Sequence, residues 1–227
     1  MEYEIKGGSF PIVVCKLQKG ETLKNETGAM AYMTSGIKME TNTGGGLLKG
    51  LGRALSGDTI FLNFFTAEEN NQEIGFAGCT PGKIMALELN GSNTIIGQKN
   101  AFLAAQDSVD LDIHFRKKLG VGIFGGEGFV LQKFSGTGVV FLEIDGEVIE
   151  HNLEAGETLL LDPGHIAAMD ESVSFDIERV KGVKNMLFGE GLFFARVEGP
   201  GRIWVQTMPL SKLAEALIPF MPKTSND

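Results

Sequence analysis

The feature that most constrains the fold of this chain is a motif that occurs three times along its 227 residues. Segments 17–35 (LQKGETLKNETGAMAYMTS), 89–107 (LNGSNTIIGQKNAFLAAQD) and 153–171 (LEAGETLLLDPGHIAAMDE) align without a gap, at offsets of 89 − 17 = 72 and 153 − 89 = 64. A second block, in which an acidic residue lies near a glycine, follows at 57–62, 126–131 and 189–194. Because tandem motifs of this size bury a core only by packing together, we predict one domain over 1–227, built from repeats 17–88, 89–152 and 153–207.

Each repeat is expected to form β-strands. Segments 35–41, 108–115 and 172–180 alternate polar and apolar residues, as half-buried strands do. The pair Asp145-Gly146 predicts a hairpin between the strands on either side of it. A short helix is predicted near 211–218, capped by Ser211 and stopped by Pro219, with an apolar face that seals the β core. We therefore predict an all-β, pseudo-threefold body with a short C-terminal helix.

Composition narrows the class of protein. The net charge of −9 argues against a protein that mainly coats nucleic acid, and 31 Gly with only 7 Pro indicate many tight turns. No apolar run reaches the ~18 residues of a membrane span. Met1 to Lys6 lack the pattern of a secretory signal, and two cysteines, Cys15 and Cys79, cannot form a disulfide framework. We therefore expect a cytoplasmic protein.

Four stretches resemble a known family: 7–23 (GGSFPIVVCKLQKGETL), 26–41 (ETGAMAYMTSGIKMET), 44–65 (GGGLLKGLGRALSGDTIFLNFF) and 161–178 (LDPGHIAAMDESVSFDIE). They are similar to an uncharacterised bacterial family related to the mitochondrial altered-inheritance-of-mitochondria proteins. By fold that family is grouped with the tryptophan RNA-binding attenuation protein. The resemblance implies an attenuation-protein-like, internally repeated β domain without an established activity, and mitochondrial relatives linked to inner-membrane organisation. It supplies no tryptophan-binding or RNA-binding residue.

The charge distribution is uneven, because positive residues concentrate between the two blocks of each repeat. Segments 41–57, 113–126 and 178–189 hold eight basic residues and one acid, Glu178, a net of +7, so the rest of the chain carries −9 − 7 = −16. The basic residues are Lys49, Arg53, Arg116, Lys117, Lys118, Arg179, Lys181 and Lys184. If the repeats surround one axis, these Gly-rich, partly apolar segments share a face, and such a face suits an anionic membrane surface or an anionic partner.

Our leading hypothesis is therefore a non-enzymatic binding or scaffolding protein, cytoplasmic or peripheral at a membrane, that self-associates through strand edges. The alternative for the basic segments is that their apolar residues belong to the core or a subunit interface and their charges form a solvated rim. Two other functions remain open: a small-ligand-binding protein or enzyme with a pocket in the β body, and a nucleic-acid-binding protein.

The remaining motifs predict no cofactor. Gly120 to Gly125 spell G-x-G-x-x-G, but β patterns flank them where a dinucleotide site needs a helix. The histidines, His114, His151 and His165, lack zinc-ligand spacing. We expect His165 to be buried or in a turn, and Cys15 to lie in the core. Three equivalent acids could converge as a cation site, but we favour turn acids that accept hydrogen bonds from backbone amides: Asp58, Glu127 and Glu190.

Overall fold

The computed structural model describes residues 1–26, 28–42, 62–117, 128–179 and 193–221, with only the backbone of Asn42 and Arg179. Strands dominate this part of the chain. None of its helices is long and apolar enough to cross a membrane.

The described residues form eighteen strands and one α-helix. The strands of the first third are β1 (Glu2–Lys6), β2 (Ile12–Leu17), β3 (Thr22–Glu26), β4 (Met30–Met33), β5 (Ile37–Asn42), β6 (Leu62–Ala67) and β7 (Gln72–Ala77). Those of the middle are β8 (Gly82–Asn90), β9 (Ile95–Gln98), β10 (Phe102–Gln106), β11 (Val109–Lys117) and β12 (Phe129–Asp145). The last are β13 (Val148–Leu153), β14 (Thr158–Leu161), β15 (Ile166–Asp170), β16 (Ser174–Arg179), β17 (Phe193–Glu198) and β18 (Gly201–Gln206), followed by helix α1 (Leu210–Leu217).

The all-β prediction with a short C-terminal helix is confirmed. The three alternating segments form β5, β11 and β16. Strand β11 alternates buried or half-buried apolar residues with exposed polar ones, whereas in β5 Ile37 is buried and Met39 is 43% exposed. Short 3₁₀ turns at Lys99–Ala101, Pro163–His165 and Ile218–Phe220 complete the described helical structure.

The strands pair in three sheets. One follows the order β1-β2-β7-β4, and another follows β14-β17-β16. The largest follows β13-β18-β15-β9-β12-β10-β3-β6-β5, with β8 and β11 also paired to β12. The 17-residue strand β12 is the centre of this sheet, because its first half pairs with β9 and β11 and its second half with β8 and β10.

One set of pairings occurs in three successive stretches, 12–77, 82–145 and 148–206. Each stretch has six strand segments. The first and third pair with the sixth, and the second and fourth pair with the fifth. In the middle stretch the two halves of β12 act as those last two strands. Each stretch begins one strand before the boundary predicted from the sequence.

The third strand of each stretch carries a register shift at the same place. The shifts begin at Met30, Phe102 and Ile166, which are 102 − 30 = 72 and 166 − 102 = 64 residues apart. These offsets equal those between the aligned sequence segments. The three stretches therefore share an irregularity of pairing at the same point, of the kind that a β-bulge produces.

Two ladders join successive stretches. The third strand of the middle stretch, β10, pairs with β3, and that of the last stretch, β15, pairs with β9. The equivalent third ladder would join β4 to β14, and these two described strands do not pair.

Three apolar clusters fill the body. One cluster includes Phe65 and Phe76. Another includes Phe134 and Leu142. The third, centred on Phe129, includes residues from β9, β12 and β15 to β18. Because each cluster draws side chains from more than one stretch, the stretches stabilise one another.

The predicted Asp145-Gly146 hairpin is wrong. Gly146 adopts the positive φ of a turn, but β12 and β13 do not pair. Strand β12 already has β8 on one edge and β10 on the other, so β13 pairs instead with β18.

The predicted cap and packing of the C-terminal helix also need correction. Helix α1 begins at Leu210, so Ser211 lies within it, and the N-cap residue Pro209 provides no side-chain hydrogen bond. The Leu210 N–H is bound instead by Asp145 Oδ2, at 2.7 Å. No residue of α1 is buried, and Leu217 is 52% exposed. The helix therefore forms one wall of an open cleft and does not seal the core.

Candidate functional site

The structure describes only part of the predicted basic set. Arg116 and Lys117 end strand β11, and the backbone of Arg179 ends β16. The other predicted contacts lie outside the described residues: Lys49, Arg53, Lys118, Lys181 and Lys184. The equivalent acids Asp58, Glu127 and Glu190 lie outside them as well.

Each basic segment connects the ends of two directly paired strands. Asn42 at the end of β5 lies opposite Leu62, where β6 begins. The same arrangement places Lys117 opposite Phe129. In the last stretch, Arg179 lies opposite Phe193. The three basic segments thus begin and end at equivalent strand pairs.

The ends of two of these strand pairs are in contact. Lys117 Nζ donates a hydrogen bond of 3.0 Å to the carbonyl oxygen of Ile177 in β16. The ring of Phe175 lies 5.1 Å from that of Phe115 and is stacked on that of Phe129 at 5.7 Å. The Lys117 ammonium and this aromatic cluster hold the second and third ends together.

A polar contact joins the first of these ends to the second. Gln132, three residues into β12, is fully buried and donates through Nε2 to Glu26 Oε1 at 3.1 Å. Glu26 lies opposite Leu62, the first residue of β6. All three strand ends that lead into basic segments are therefore linked through described contacts.

A cleft of about 770 Å³ lies between the β body and helix α1. Equivalent residues of the three stretches line it: Gly28, Asn100 and Gly164, which are 72 and 64 residues apart. The last strand of each stretch also contributes a lining residue, namely Ala77, Glu143 or Gln206. Its volume lies within the range of small-molecule sites.

The acidic wall of the cleft is built around Thr80. Its backbone N–H and its hydroxyl both contact Glu143 Oε1 at 2.9 Å, and the hydroxyl lies 2.5 Å from Asp145 Oδ1. Alternate residues of a strand point to the same side, so Glu143 and Asp145 share a face of β12. The structure therefore brings two carboxylates to one hydroxyl.

A buried amide supports this wall. Gln206 accepts the Asp145 N–H through Oε1 at 3.1 Å and donates through Nε2 to the Gly164 carbonyl at 2.9 Å. Its Nε2 also contacts Gln98 Oε1 at 3.2 Å. Because Gln206 is held on both sides, the acidic wall is positioned by contacts from distant parts of the chain.

The two cysteines differ in environment. Cys15 lies in the core as predicted, and burial raises its pKa to about 12. Cys79 lines the cleft and is exposed. Partial burial raises the pKa of the Cys79 thiol, and the nearby negative charges of Glu143 and Asp145 raise it further.

One histidine, His165, contacts a residue that lines the cleft. His165 lies in a turn, as predicted, with Nδ1 2.8 Å from the Gln206 carbonyl oxygen. Among the described residues, no group of three or more His, Cys, Asp or Glu side chains is placed to hold a metal ion.

Sequence reasoning did not identify the residues of the cleft. Glu143 and Asp145 sit at alternate positions at the end of a strand pattern, and this is the only local signal they carry. Gln206, and Thr80 behind the lining, carry none, because only contacts between distant parts of the chain bring them to the carboxylates.

Comparisons with known proteins extend over nearly the whole chain. The family model described as mitochondrial biogenesis AIM24 matches residues 3–208. An uncharacterized protein of Streptococcus pyogenes serotype M6 is 30% identical over 227 residues, covering 96% of this chain and 89% of that protein. The crystal structure of another Streptococcus pyogenes protein is 25% identical, with a TM-score of 0.79 over 97% of this chain and 99% of that one. The resemblance to the attenuation-protein fold stays a prediction.

Proposed function

This chain belongs to the mitochondrial biogenesis AIM24 family, and from that premise we propose that it is a non-enzymatic binding or scaffolding protein. In this proposal it contacts an anionic membrane surface, as a peripheral protein, through its three basic Gly-rich segments. The observation that carries the proposal is the linkage of the strand ends from which those segments leave the body.

Charge supports the proposal. The three segments carry +7 on a chain whose net charge is −9. An acidic body is repelled by an anionic surface unless its positive charge is concentrated on one side. Each Lys or Arg near such a surface contributes about 1 kcal/mol, so segments that act together would give stable but salt-sensitive attachment.

A pseudo-threefold arrangement is part of the proposal. The recurring pairings, the register shifts at equal offsets and the convergence of Gly28, Asn100 and Gly164 on one cleft support it. About such an axis, equivalent segments leave the body at the same level and can contact a flat surface together.

Self-association through strand edges is also proposed. Within the described residues, β4 pairs only with β7 and β14 only with β17, so each offers an edge. Tyr32 and Leu160 on these strands are 41% and 56% exposed. Analytical ultracentrifugation of wild type and of Leu160→Lys tests this, because a charge on an edge opposes pairing. We expect an oligomer that the substitution weakens, and a monomeric wild type would contradict the proposal.

Membrane contact is tested by co-sedimentation with vesicles of an anionic phospholipid, compared with phosphatidylcholine vesicles, at low and high salt. A five-site variant replaces basic residues by Gln at Lys49, Arg53, Lys118, Lys181 and Lys184. It spares Lys117, because that ammonium binds the Ile177 carbonyl. A matched control makes the same change at five exposed lysines elsewhere, Lys6, Lys16, Lys19, Lys38 and Lys212.

We expect wild type and the control to bind anionic vesicles at low salt, and the five-site variant to lose at least about 100-fold in affinity. An equal loss of affinity in the five-site variant and in the control would show that binding depends on net charge and not on the basic segments, and would contradict the proposal. If the protein bound single-stranded RNA but not vesicles, and the five-site variant lost this binding, the partner would be nucleic acid and not a membrane.

A further inference from the structure

The cleft between helix α1 and the β body has two walls of different chemistry. Glu143 and Asp145 lie on one wall, beside Thr80. The other wall is helix α1 and the residue that follows it, with Leu210, Ala214 and Ile218 lining the cleft. These positions are four residues apart and therefore lie on one side of a helix. A ligand that fills the cleft must satisfy both walls.

The charge of the lining residues selects the sign of such a ligand. They include four carboxylates and one lysine, Lys99, a net of −4 + 1 = −3. The carboxylates are Glu26, Glu143, Asp145 and Glu215. Lys212, outside the lining, lies 4.0 Å from Glu215, so the excess of negative charge rests on Glu26, Glu143 and Asp145. A concave surface with an excess of one sign of charge concentrates ions of the opposite sign, so the cleft favours a cation.

The contacts of Thr80 add a second reason. Its hydroxyl lies within 2.9 Å of Glu143 Oε1 and 2.5 Å of Asp145 Oδ1, yet a hydroxyl has a single hydrogen to donate. Only one carboxylate can receive it at a time. When the hydroxyl donates to Asp145, Glu143 Oε1 still accepts the Thr80 N–H. Thr80 thus holds two negative carboxylates close together beside the cleft, and like charges at one place favour a cation there.

The apolar helix side chains determine the kind of cation. Ile218 is 62% exposed and Leu210 is 45% exposed, so both are available for burial by an occupant. A bare metal ion would leave them exposed, and no group of three metal-ligating side chains is found among the described residues. An alkyl chain attached to an ammonium group matches both walls.

We propose that this cleft binds an organic ammonium ion with an apolar body, its N–H groups on Glu143 and Asp145 and its hydrocarbon against Leu210, Ala214 and Ile218. This inference does not depend on the contact of the basic segments with membranes.

Isothermal titration calorimetry with n-octylammonium, below its aggregation concentration, tests the inference on the full chain. 1-Octanol and octanoate are the matched ligands, with the same chain but a neutral or negative head group. Three variants are compared with wild type: Glu143→Gln with Asp145→Asn, which removes two charges; Ala214→Phe, which fills the cleft but keeps every carboxylate; and Glu69→Gln, an exposed acid outside the cleft.

We expect saturable 1:1 binding of n-octylammonium to wild type and to Glu69→Gln. The double variant and Ala214→Phe should each lose at least about tenfold in affinity, and both should keep the circular dichroism spectrum of wild type. If the double variant does not fold, Ala214→Phe alone decides. The proposal is overturned if wild type binds octanoate as tightly as octylammonium, if it binds neither, or if Ala214→Phe binds like wild type.

Discussion

Asp145 and Leu210, 65 residues apart in the sequence, are joined by a hydrogen bond of 2.7 Å from the Leu210 N–H to Asp145 Oδ2. The last residue of strand β12 thereby receives the first N–H of helix α1, a role usually filled by a side chain next to the helix. The same carboxylate contacts Thr80, so it connects the helix to the wall of the cleft.

Asp145→Ala should loosen helix α1. Loss of a helix cap costs about 1 kcal/mol, and no residue of α1 is buried to compensate. We expect faster hydrogen exchange at the amides of residues 213–217, measured by NMR. Asp145→Asn keeps an acceptor oxygen and should exchange more slowly than the Ala variant. Ser211→Ala should leave exchange unchanged. Faster exchange in Ser211→Ala than in Asp145→Ala would instead support Ser211 as the helix cap, as predicted from the sequence.

Gly82→Ala should destabilise the whole fold. A Cβ at Gly82 would collide with the backbone carbonyl of Ile144, which cannot move away because neighbouring residues are held in the β8–β12 ladder. We expect a loss of about 2 kcal/mol or more in chemical denaturation. Gly8→Ala is the control, since nothing lies within 4 Å of its added Cβ. If Gly82→Ala and Gly8→Ala lost similar amounts of stability, the close approach of Gly82 to the Ile144 carbonyl would be wrong.

The buried thiol of Cys15 should reduce stability at alkaline pH. Its pKa is raised from 9.0 to about 12 in the folded chain, so it stays neutral where the unfolded thiol ionises. Its contribution is fully present below pH 9 and is lost as the pH rises towards 12. The free-energy difference of unfolding between wild type and Cys15→Ala should therefore fall by about 1.4 kcal/mol per pH unit above 9. A constant difference would contradict burial of this thiol.

The carboxylates of the cleft should slow the reaction of Cys79 with iodoacetamide. Burial and the charges of Glu143 and Asp145 raise the pKa of this exposed thiol, and only the thiolate reacts. Glu143→Gln should therefore speed alkylation at pH 8, measured by mass spectrometry, while Glu69→Gln leaves the rate unchanged. A slower reaction in Glu143→Gln would show that the carboxylate does not act on the thiol.

Much of the fold could be predicted from local patterns. The alternation in 35–41, 108–115 and 172–180 anticipated β5, β11 and β16, because burial of one sheet face requires a two-residue period in any context. The aligned segments also contain Met30, Phe102 and Ile166, where the register shifts occur at the same offsets.

The sequence by itself thus determined the class of fold, the position of strands β5, β11 and β16, and the charge contrast between the basic segments and the rest of the chain. Only the tertiary structure decided which strands pair. The same pairings bring together the residues that line the cleft. The Asp145-Gly146 pair is typical of a hairpin turn and therefore predicts one. The hairpin does not form because both edges of β12 are paired with β8 and β10. Thr80, Asp145 and Leu210 meet for the same reason: hydrophobic patterns act over a few residues, whereas strand pairing depends on edges supplied by distant parts of the chain.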